Sequence, residues 1–302
     1  MPHTLKTIVF FGTDEFSAAS LRELIAKGFT VAAAVTKPDS RKGRGRGLAK
    51  PIVKEIAEAN NIPVWQPLDV RAIAEHVERL VEKTGEAPIG VLVSYGKIIP
   101  QSIIDLFQPG IINVHPSLLP LYRGPSPIES AILNGDTQTG VTIMQLSAAM
   151  DAGPIYTQLT LPLIDVETAP ELEVQLAEIG AEQLSSVLPA IINGTAQLRP
   201  QDDTVATYCQ LLTKEDSILD TENLTAEQAE RHVRAYLAFP KTKATIAGHQ
   251  VVITKAHVTN THNCVLDLAC ADGRYLAVDE LIGPSGKAMT GQAFLNGYSN
   301  KA

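Results

Sequence analysis

The sequence predicts an α/β protein, with a mostly parallel sheet domain followed by a small β-barrel domain. Short apolar runs alternate with helical patterns in the first part of the chain, which is the order of a parallel sheet with right-handed crossovers. A long helical pattern at residues 171–193 closes that part. Several short strand patterns with turn signals then follow, and these favour a barrel.

The chain is long enough for two domains, because it has 302 residues of which 45% are hydrophobic. We predict a first domain over residues 1–193 and a second over residues 208–302. Residues 194–207 contain a proline and two aspartates and have no apolar periodicity, so they are expected to form a linker.

Apolar periodicity locates the elements of the first domain. Buried-strand patterns occur at residues 7–11, 31–35, 64–65, 89–93, 110–112 and 142–146. A helix is predicted between Thr13, its expected N-cap, and Gly28, its expected end. Further helical patterns lie at residues 52–59, 72–82, 99–107, 126–133 and 171–193.

The second domain changes character after one helical pattern at residues 225–238. Strand patterns follow at residues 243–246, 250–257, 264–268 and 275–278, separated by turn residues such as Gly248 and Gly273. A last helical turn is predicted at residues 292–295.

Composition excludes several classes of protein. No apolar run approaches the roughly 18 residues that span a bilayer, and the first residues lack the apolar core of a signal peptide, so a cytoplasmic protein is expected. Cys209, Cys264 and Cys270 are odd in number and lack the spacing of a zinc site or a disulfide framework, so no metal is expected. The net charge of −8 means that any nucleic acid must be held by a local basic patch.

The clearest chemical signal is Asn113 and His115, where a buried strand runs into a proline-rich turn. The two residues are two apart, so in an extended chain their side chains share a face, at an end of the sheet where ligands bind. An amide suits donation to a developing oxyanion, and an imidazole suits proton transfer. The alternative is that both are ordinary turn and capping residues.

Two further strand ends carry candidate residues. Asp151 follows the strand pattern at residues 142–146, and from there it can face His115 and tune its charge. Tyr95 follows the strand pattern at residues 89–93. Its side chain either lines a pocket or packs at an interface with its hydroxyl satisfied.

Residues 36–51 form the densest cationic run of the chain. They contain Lys37, Arg41, Lys42, Arg44, Arg46 and Lys50, together with one acidic residue and three glycines. Such a run is either a solvated flexible loop or a loop that becomes ordered on a polyanion, because cationic side chains on a mobile backbone can follow phosphates. The density of charge in an otherwise acidic protein favours the second interpretation.

Taken together, these motifs resemble the folate-dependent formyltransferases, and most closely those that act on methionyl-tRNA. The resemblance rests on the sequences at residues 113–120, 122–124, 140–144 and 151–153, and it covers nearly the whole chain, from residues 11–16 to residues 289–297. It implies a Rossmann-like first domain that binds 10-formyltetrahydrofolate and an OB-like second domain.

The resemblance also implies roles for particular residues. Asn113, His115 and Asp151 match the catalytic residues of the family, and Ser117, Leu118, Leu119 and Pro120 match a stretch that lines the folate site. The loop around Arg44 matches one that approaches the acceptor end of the tRNA, so Arg41, Lys42, Arg44 and Arg46 are expected to contact tRNA. The implied partner is initiator methionyl-tRNA, and a monomer is expected.

Two alternatives remain at this stage. One is a formyltransferase or 10-formyltetrahydrofolate hydrolase that acts on a small substrate, with the basic loop serving a nucleotide. The other is an RNA-binding protein that retains a folate pocket without catalysis. Assays of formyl transfer and of tRNA binding distinguish them.

Overall fold

The computed structural model describes residues 6–42 and 47–299. Over this part of the chain, seven strands form one sheet in the order β5-β2-β1-β6-β7-β8-β9. These strands are β1 (Ile8–Phe11), β2 (Val31–Val35), β5 (Val64–Trp65), β6 (Ile89–Leu92), β7 (Ile111–His115), β8 (Gln138–Gln145) and β9 (Ile155–Pro162). Neighbouring strands from β5 to β7 pair in parallel, and β8 pairs antiparallel to β7, which confirms the predicted mostly parallel, Rossmann-like sheet.

Helices alternate with these strands, as the sequence predicts for an α/β fold. They are α1 (Glu15–Ala26), α2 (Ile52–Ala59), α3 (Ala74–Thr84), α4 (Gln101–Ile104), α5 (Pro127–Asn134) and α6 (Ala169–Ile192). The N-cap of α1 is Asp14, whose carboxylate accepts a hydrogen bond from the Ser17 amide at 3.1 Å. The prediction of Thr13 as this cap is therefore wrong, because the Thr13 hydroxyl donates instead to the Tyr95 carbonyl at 3.1 Å.

The core of the sheet consists of the apolar residues of its central strands. The side chains of β1 are fully buried, and Phe11 packs edge-to-face against Tyr95 and Phe107, with ring centroids 5.7 Å apart in both pairs. Burial on both faces explains why the sequence shows an unbroken apolar run here rather than an alternating one.

The cationic run contains two short paired strands. β3 (Ser40–Lys42) and β4 (Gly47–Ala49) pair antiparallel on either side of the undescribed residues 43–46. Part of the cationic run is therefore held in a paired, two-stranded ribbon.

The second sheet is antiparallel and contains five strands within the described residues. These are β10 (Thr242–Ile246), β11 (His249–Thr259), β12 (Asp267–Ala269), β13 (Tyr275–Ile282) and β14 (Ala288–Thr290), accompanied by α7 (Ala226–Ala235) and α8 (Gly291–Phe294). The pairing of β11 with β13 is irregular around Lys255. Irregularities of this kind bend a strand, which suits the curled sheet of the predicted OB-like domain.

Two compact units divide the chain, and their boundaries do not follow the order of the sequence. One unit contains residues 1–123, 140–161 and 174–208, and the other contains residues 124–139, 162–173 and 209–302. The domain limits inferred from the sequence stay a prediction. No described helix is long and apolar enough to cross a membrane.

Candidate active site

Asn113 and His115 lie on β7, which is buried along its whole length. Asn113 pairs in register with Leu92 of β6 and Met144 of β8, and His115 pairs with Thr142 of β8. Because the strand is extended at both positions, the amide and the imidazole project from the same face of the sheet. A rigid central strand therefore sets the spacing between these two groups.

Asp151 reaches His115 even though β8 runs antiparallel to β7. The last residue of β8, Gln145, pairs with Ile112, so the strand ends near the beginning of β7. The following loop returns the chain, and the Asp151 carboxylate lies 3.8 Å from Nδ1 of His115, with both side chains mostly buried. The structure thus brings the three predicted catalytic residues together from two separate segments.

The other ring nitrogen of His115 has a backbone partner. Nε2 lies 2.9 Å from the carbonyl oxygen of Tyr122. A carbonyl oxygen can only accept, so Nε2 carries a hydrogen and donates it. Nδ1 is consequently the ring atom that can exchange a proton, and it is the one that faces Asp151.

The carboxamide of Asn113 is available to a ligand. The residue is 95% buried, since 5% of its surface is exposed, and its side chain makes no hydrogen bond to any residue in the described part of the chain. Its polar atoms are not among the fully buried side-chain atoms that lack a partner, so the carboxamide stays open to an incoming acceptor. The site therefore has a preoriented donor beside a preoriented imidazole.

The loop after β7 is held by one internal hydrogen bond and by contacts with β8 and β9. The Ser117 hydroxyl donates to the Leu121 carbonyl at 2.6 Å, and Leu119 packs with Met144 and Ile155. The Thr142 hydroxyl donates to the Ser117 carbonyl at 2.6 Å and accepts from the Leu119 amide at 3.1 Å. These contacts fix the backbone of the predicted folate-lining stretch. Leu118 and Pro120 are half-buried.

Tyr95 is fully buried within the sheet core, so its ring does not face an open cleft. Burial raises the pKa of its hydroxyl to about 12. That hydroxyl has no hydrogen-bond partner among residues 6–42 and 47–299. A folate contact through Tyr95 stays a prediction.

A cavity of about 520 Å³ lies beside the N-terminus of α1. Its lining includes Thr13, Asp14, Lys37 and Lys50, and therefore carries charges of both signs. Asp14 also accepts a hydrogen bond from the hydroxyl of Ser94, which follows β6. The cavity thus adjoins the carboxyl ends of the central parallel strands, where open α/β sheets bind ligands.

The predicted tRNA-contacting residues lie at the edge of what the structure describes. Arg44 and Arg46 fall outside the described residues, and Arg41 and Lys42 are described only as backbone of β3. Their contacts with tRNA stay a prediction. The nearby Lys54 ammonium is bound to Asp39 at 2.8 Å, so it is already neutralised.

Sequence reasoning missed two groups that shape the site. The Tyr122 carbonyl selects the tautomer of His115, and the Thr142 hydroxyl ties the loop to β8. Neither had a signal in the sequence, because backbone carbonyls are present at every position and Thr142 lies within a regular strand. For metals, no group of three or more His, Cys, Asp or Glu side chains with the arrangement of a binding site occurs in the described chain.

Comparison with known proteins identifies the class to which this fold and site belong. Residues 5–188 match the family model described as formyl transferase, and residues 211–299 match that of the formyl transferase C-terminal domain. The chain therefore belongs to the formyl transferase family.

Curated relatives and a solved structure resemble the chain over almost its full length. The methionyl-tRNA formyltransferase of Pelobacter propionicus is 37% identical, with 97% of this chain and 93% of the relative covered. That of a Janthinobacterium species is also 37% identical, with 97% of both chains covered. A sugar 3N-formyl transferase, WlaRD, solved with dTDP and 5-N-formyl-THF, superposes with a TM-score of 0.68 at 19% identity, covering 91% of this chain and 97% of that one. The last likeness shows the shared fold.

Proposed function

We propose that this chain transfers the formyl group of 10-formyltetrahydrofolate to the α-amine of initiator methionyl-tRNA, for translation initiation. The observation that carries the proposal is the convergence of Asn113, His115 and Asp151 at one end of a buried strand. Family membership and full-length similarity to two methionyl-tRNA formyltransferases support the choice of substrates.

The chemistry follows from the roles that the three side chains can take. 10-Formyltetrahydrofolate supplies the formyl group, and a new bond from the amine nitrogen to the formyl carbon replaces the bond from that carbon to the folate nitrogen. Asn113 donates to the formyl oxygen as negative charge develops there, a contribution of roughly 3 kcal/mol for a donor of this kind. His115 accepts the amine proton at Nδ1 and delivers it to the leaving nitrogen.

Asp151 stabilises the protonated imidazole between these two proton transfers. Its carboxylate lies on the Nδ1 side, and the Tyr122 carbonyl continues to accept from Nε2, so the ring keeps its orientation in both protonation states. General acid–base assistance of this kind contributes roughly 100- to 10,000-fold to rate. No covalent enzyme intermediate is needed in this mechanism. Ser117 is not assigned as a nucleophile, because its hydroxyl already donates a hydrogen bond to a backbone carbonyl.

The remaining predicted residues take binding roles in this proposal. The stretch from Ser117 to Pro120, with the backbone at Tyr95, lies along the folate, and the unpartnered carboxamide of Asn113 meets its formyl oxygen. The loop that contains Arg41, Lys42, Arg44 and Arg46 contacts the acceptor end of the tRNA. We further propose that the protein acts in the cytoplasm as a monomer. Sedimentation analysis of the purified chain tests the monomeric state.

The deciding experiment incubates the chain with 10-formyltetrahydrofolate and charged initiator tRNA and measures formyl-methionine. Parallel reactions replace the tRNA with an amino sugar nucleotide, with a free amine or with water alone. Formyl-methionine formed faster than any other product supports the proposal. Faster hydrolysis or faster transfer to a small amine, or tRNA binding without turnover, would instead support one of the alternatives and refute it.

A further inference from the structure

One segment of the first compact unit, residues 199–208, forms hydrogen bonds with two loops of the candidate active site. We call it the tether segment. The Thr207 hydroxyl accepts from the Tyr122 amide at 2.8 Å, and the Thr207 carbonyl accepts from the Arg123 amide at 2.9 Å. At its other end, the Gln201 side-chain nitrogen donates to the carbonyl oxygens of Asp151 and Gly153, both at 2.7 Å.

The two loops held in this way supply the two partners of His115. Tyr122 provides the carbonyl that binds Nε2, and Asp151 provides the carboxylate that faces Nδ1. Both residues have a positive φ, 56° for Tyr122 and 47° for Asp151. Such conformations cost free energy for residues with a side chain and persist only where surrounding contacts impose them. The tether segment supplies such contacts at both positions.

Arg123 fixes the orientation of the Gln201 amide. Its guanidinium donates to Oε1 of Gln201 from Nε at 3.0 Å and from Nη2 at 2.7 Å. Only 2% of Arg123 is exposed, so these bonds are shielded from water. With its oxygen committed to the guanidinium, Gln201 directs its nitrogen, which carries two hydrogens, towards the two loop carbonyls.

We propose that Gln201 is a positioning residue that sets the Asp151 carboxylate against Nδ1 of His115. The separation of 3.8 Å leaves little tolerance, because a small shift of the loop removes the carboxylate from the imidazole. This role of Gln201 rests on the proposed function only in the experiments that measure turnover.

Gln201→Glu tests this role, because it keeps an acceptor for Arg123 and replaces the donating nitrogen with an oxygen that repels both carbonyls. We expect kcat for formyl transfer to fall by roughly 10- to 100-fold with both KM values nearly unchanged, since loop misplacement affects the reacting groups rather than binding. In an Asp151→Asn background the same substitution should lower kcat by less than about threefold, because residues that act through one another are not additive.

Arg199→Ala is the matched control, since the Arg199 side chain is exposed and the hydrogen bonds between Arg199 and Ile155 are made by the backbone. It should leave kcat unchanged. An equal loss of kcat for Gln201→Glu in both backgrounds, or a loss fully accounted for by a lower melting temperature, would overturn the proposal.

Nuclear magnetic resonance of the His115 ring gives a readout that does not require turnover. The ¹⁵N shift of Nδ1 should change in Gln201→Glu, while that of Nε2 and both shifts in Arg199→Ala stay as in the wild type. An unchanged Nδ1 shift would refute the positioning role. A wild-type chain that fails to formylate methionyl-tRNA would refute the proposed function, and the ring shifts would still decide the role of Gln201.

Discussion

The buried His232 predicts a loss of stability of the second compact unit in mild acid. His232 lies on α7, with its ring 4.4 Å from that of Tyr236 in an edge-to-face contact and Nδ1 3.0 Å from the Thr242 hydroxyl. Burial lowers its pKa from 6.5 to about 4, and the hydrogen bond and charge of Asp216, which act in the opposite direction, offset this only in part. The folded unit therefore holds this imidazole neutral.

The magnitude follows from the difference between the folded and unfolded pKa values. A group with a depressed folded pKa binds its proton preferentially in the unfolded state, so stability is fully present above the unfolded pKa and declines as the pH falls towards the folded one. At about 1.4 kcal/mol per pH unit, the loss between about pH 7.5 and about pH 5 is about 2 kcal/mol. Over the whole window down to about pH 4 it approaches about 3 kcal/mol.

Hydrogen exchange of peptides from β11 and β13, measured in urea at the two pH values, reports this unit separately from the first. His232→Gln removes the titrating group, so the loss of opening free energy between the two pH values should shrink by about 2 kcal/mol relative to the wild type. An equal pH dependence in the wild type and in His232→Gln would refute the reasoning.

Three further changes test the site and its support. Asn113→Ala should lower kcat by roughly 100- to 1,000-fold with the melting temperature nearly unchanged, because in the proposed mechanism it deletes a donor to the formyl oxygen; full activity would contradict the assignment. Gly140→Ala should destabilise the chain by about 1–3 kcal/mol in urea denaturation, since its new methyl group would lie 2.1 Å from the backbone oxygen of Leu159; unchanged stability would show that this backbone can move. Asp165→Asn should lower the free energy of unfolding in urea by about 1 kcal/mol, because the half-exposed carboxylate binds Arg231 and Arg234. A larger loss of stability at high salt than at low salt would contradict an ionic cause.

Local patterns predicted the fold class because its signals are local. The apolar run that became β1 and the helical periodicity that became α6 depend only on neighbouring residues and on which side chains avoid water. The same reasoning overextended α4, predicted at residues 99–107 and observed at Gln101–Ile104. Strand β9 (Ile155–Pro162) was not predicted, since its side chains are only partly buried and lack a clear alternation.

The N-cap of α1 shows what the local sequence cannot predict. Thr13 and Asp14 are both good N-cap residues, and nothing within the helix decides between them. The choice is made by the Tyr95 carbonyl, 82 positions further along the chain, which takes the Thr13 hydroxyl and leaves the cap to Asp14. A contact so distant in sequence cannot be inferred from the pattern around α1.

The sequence alone therefore determines the amide and imidazole pair, because two residues spaced two apart on a strand must share a face whatever surrounds them. It also determines the chemical types available, namely the Asn113 amide, the His115 imidazole and the Asp151 carboxylate. Tertiary structure decides that Asp151 meets the imidazole. Antiparallel β8 ends beside the beginning of β7, away from His115, and only the folded loop after β8 brings Asp151 back to that residue. It likewise decides that Tyr122 and Gln201 hold the site, because hydrogen bonds between distant segments depend on three-dimensional packing that no local pattern encodes.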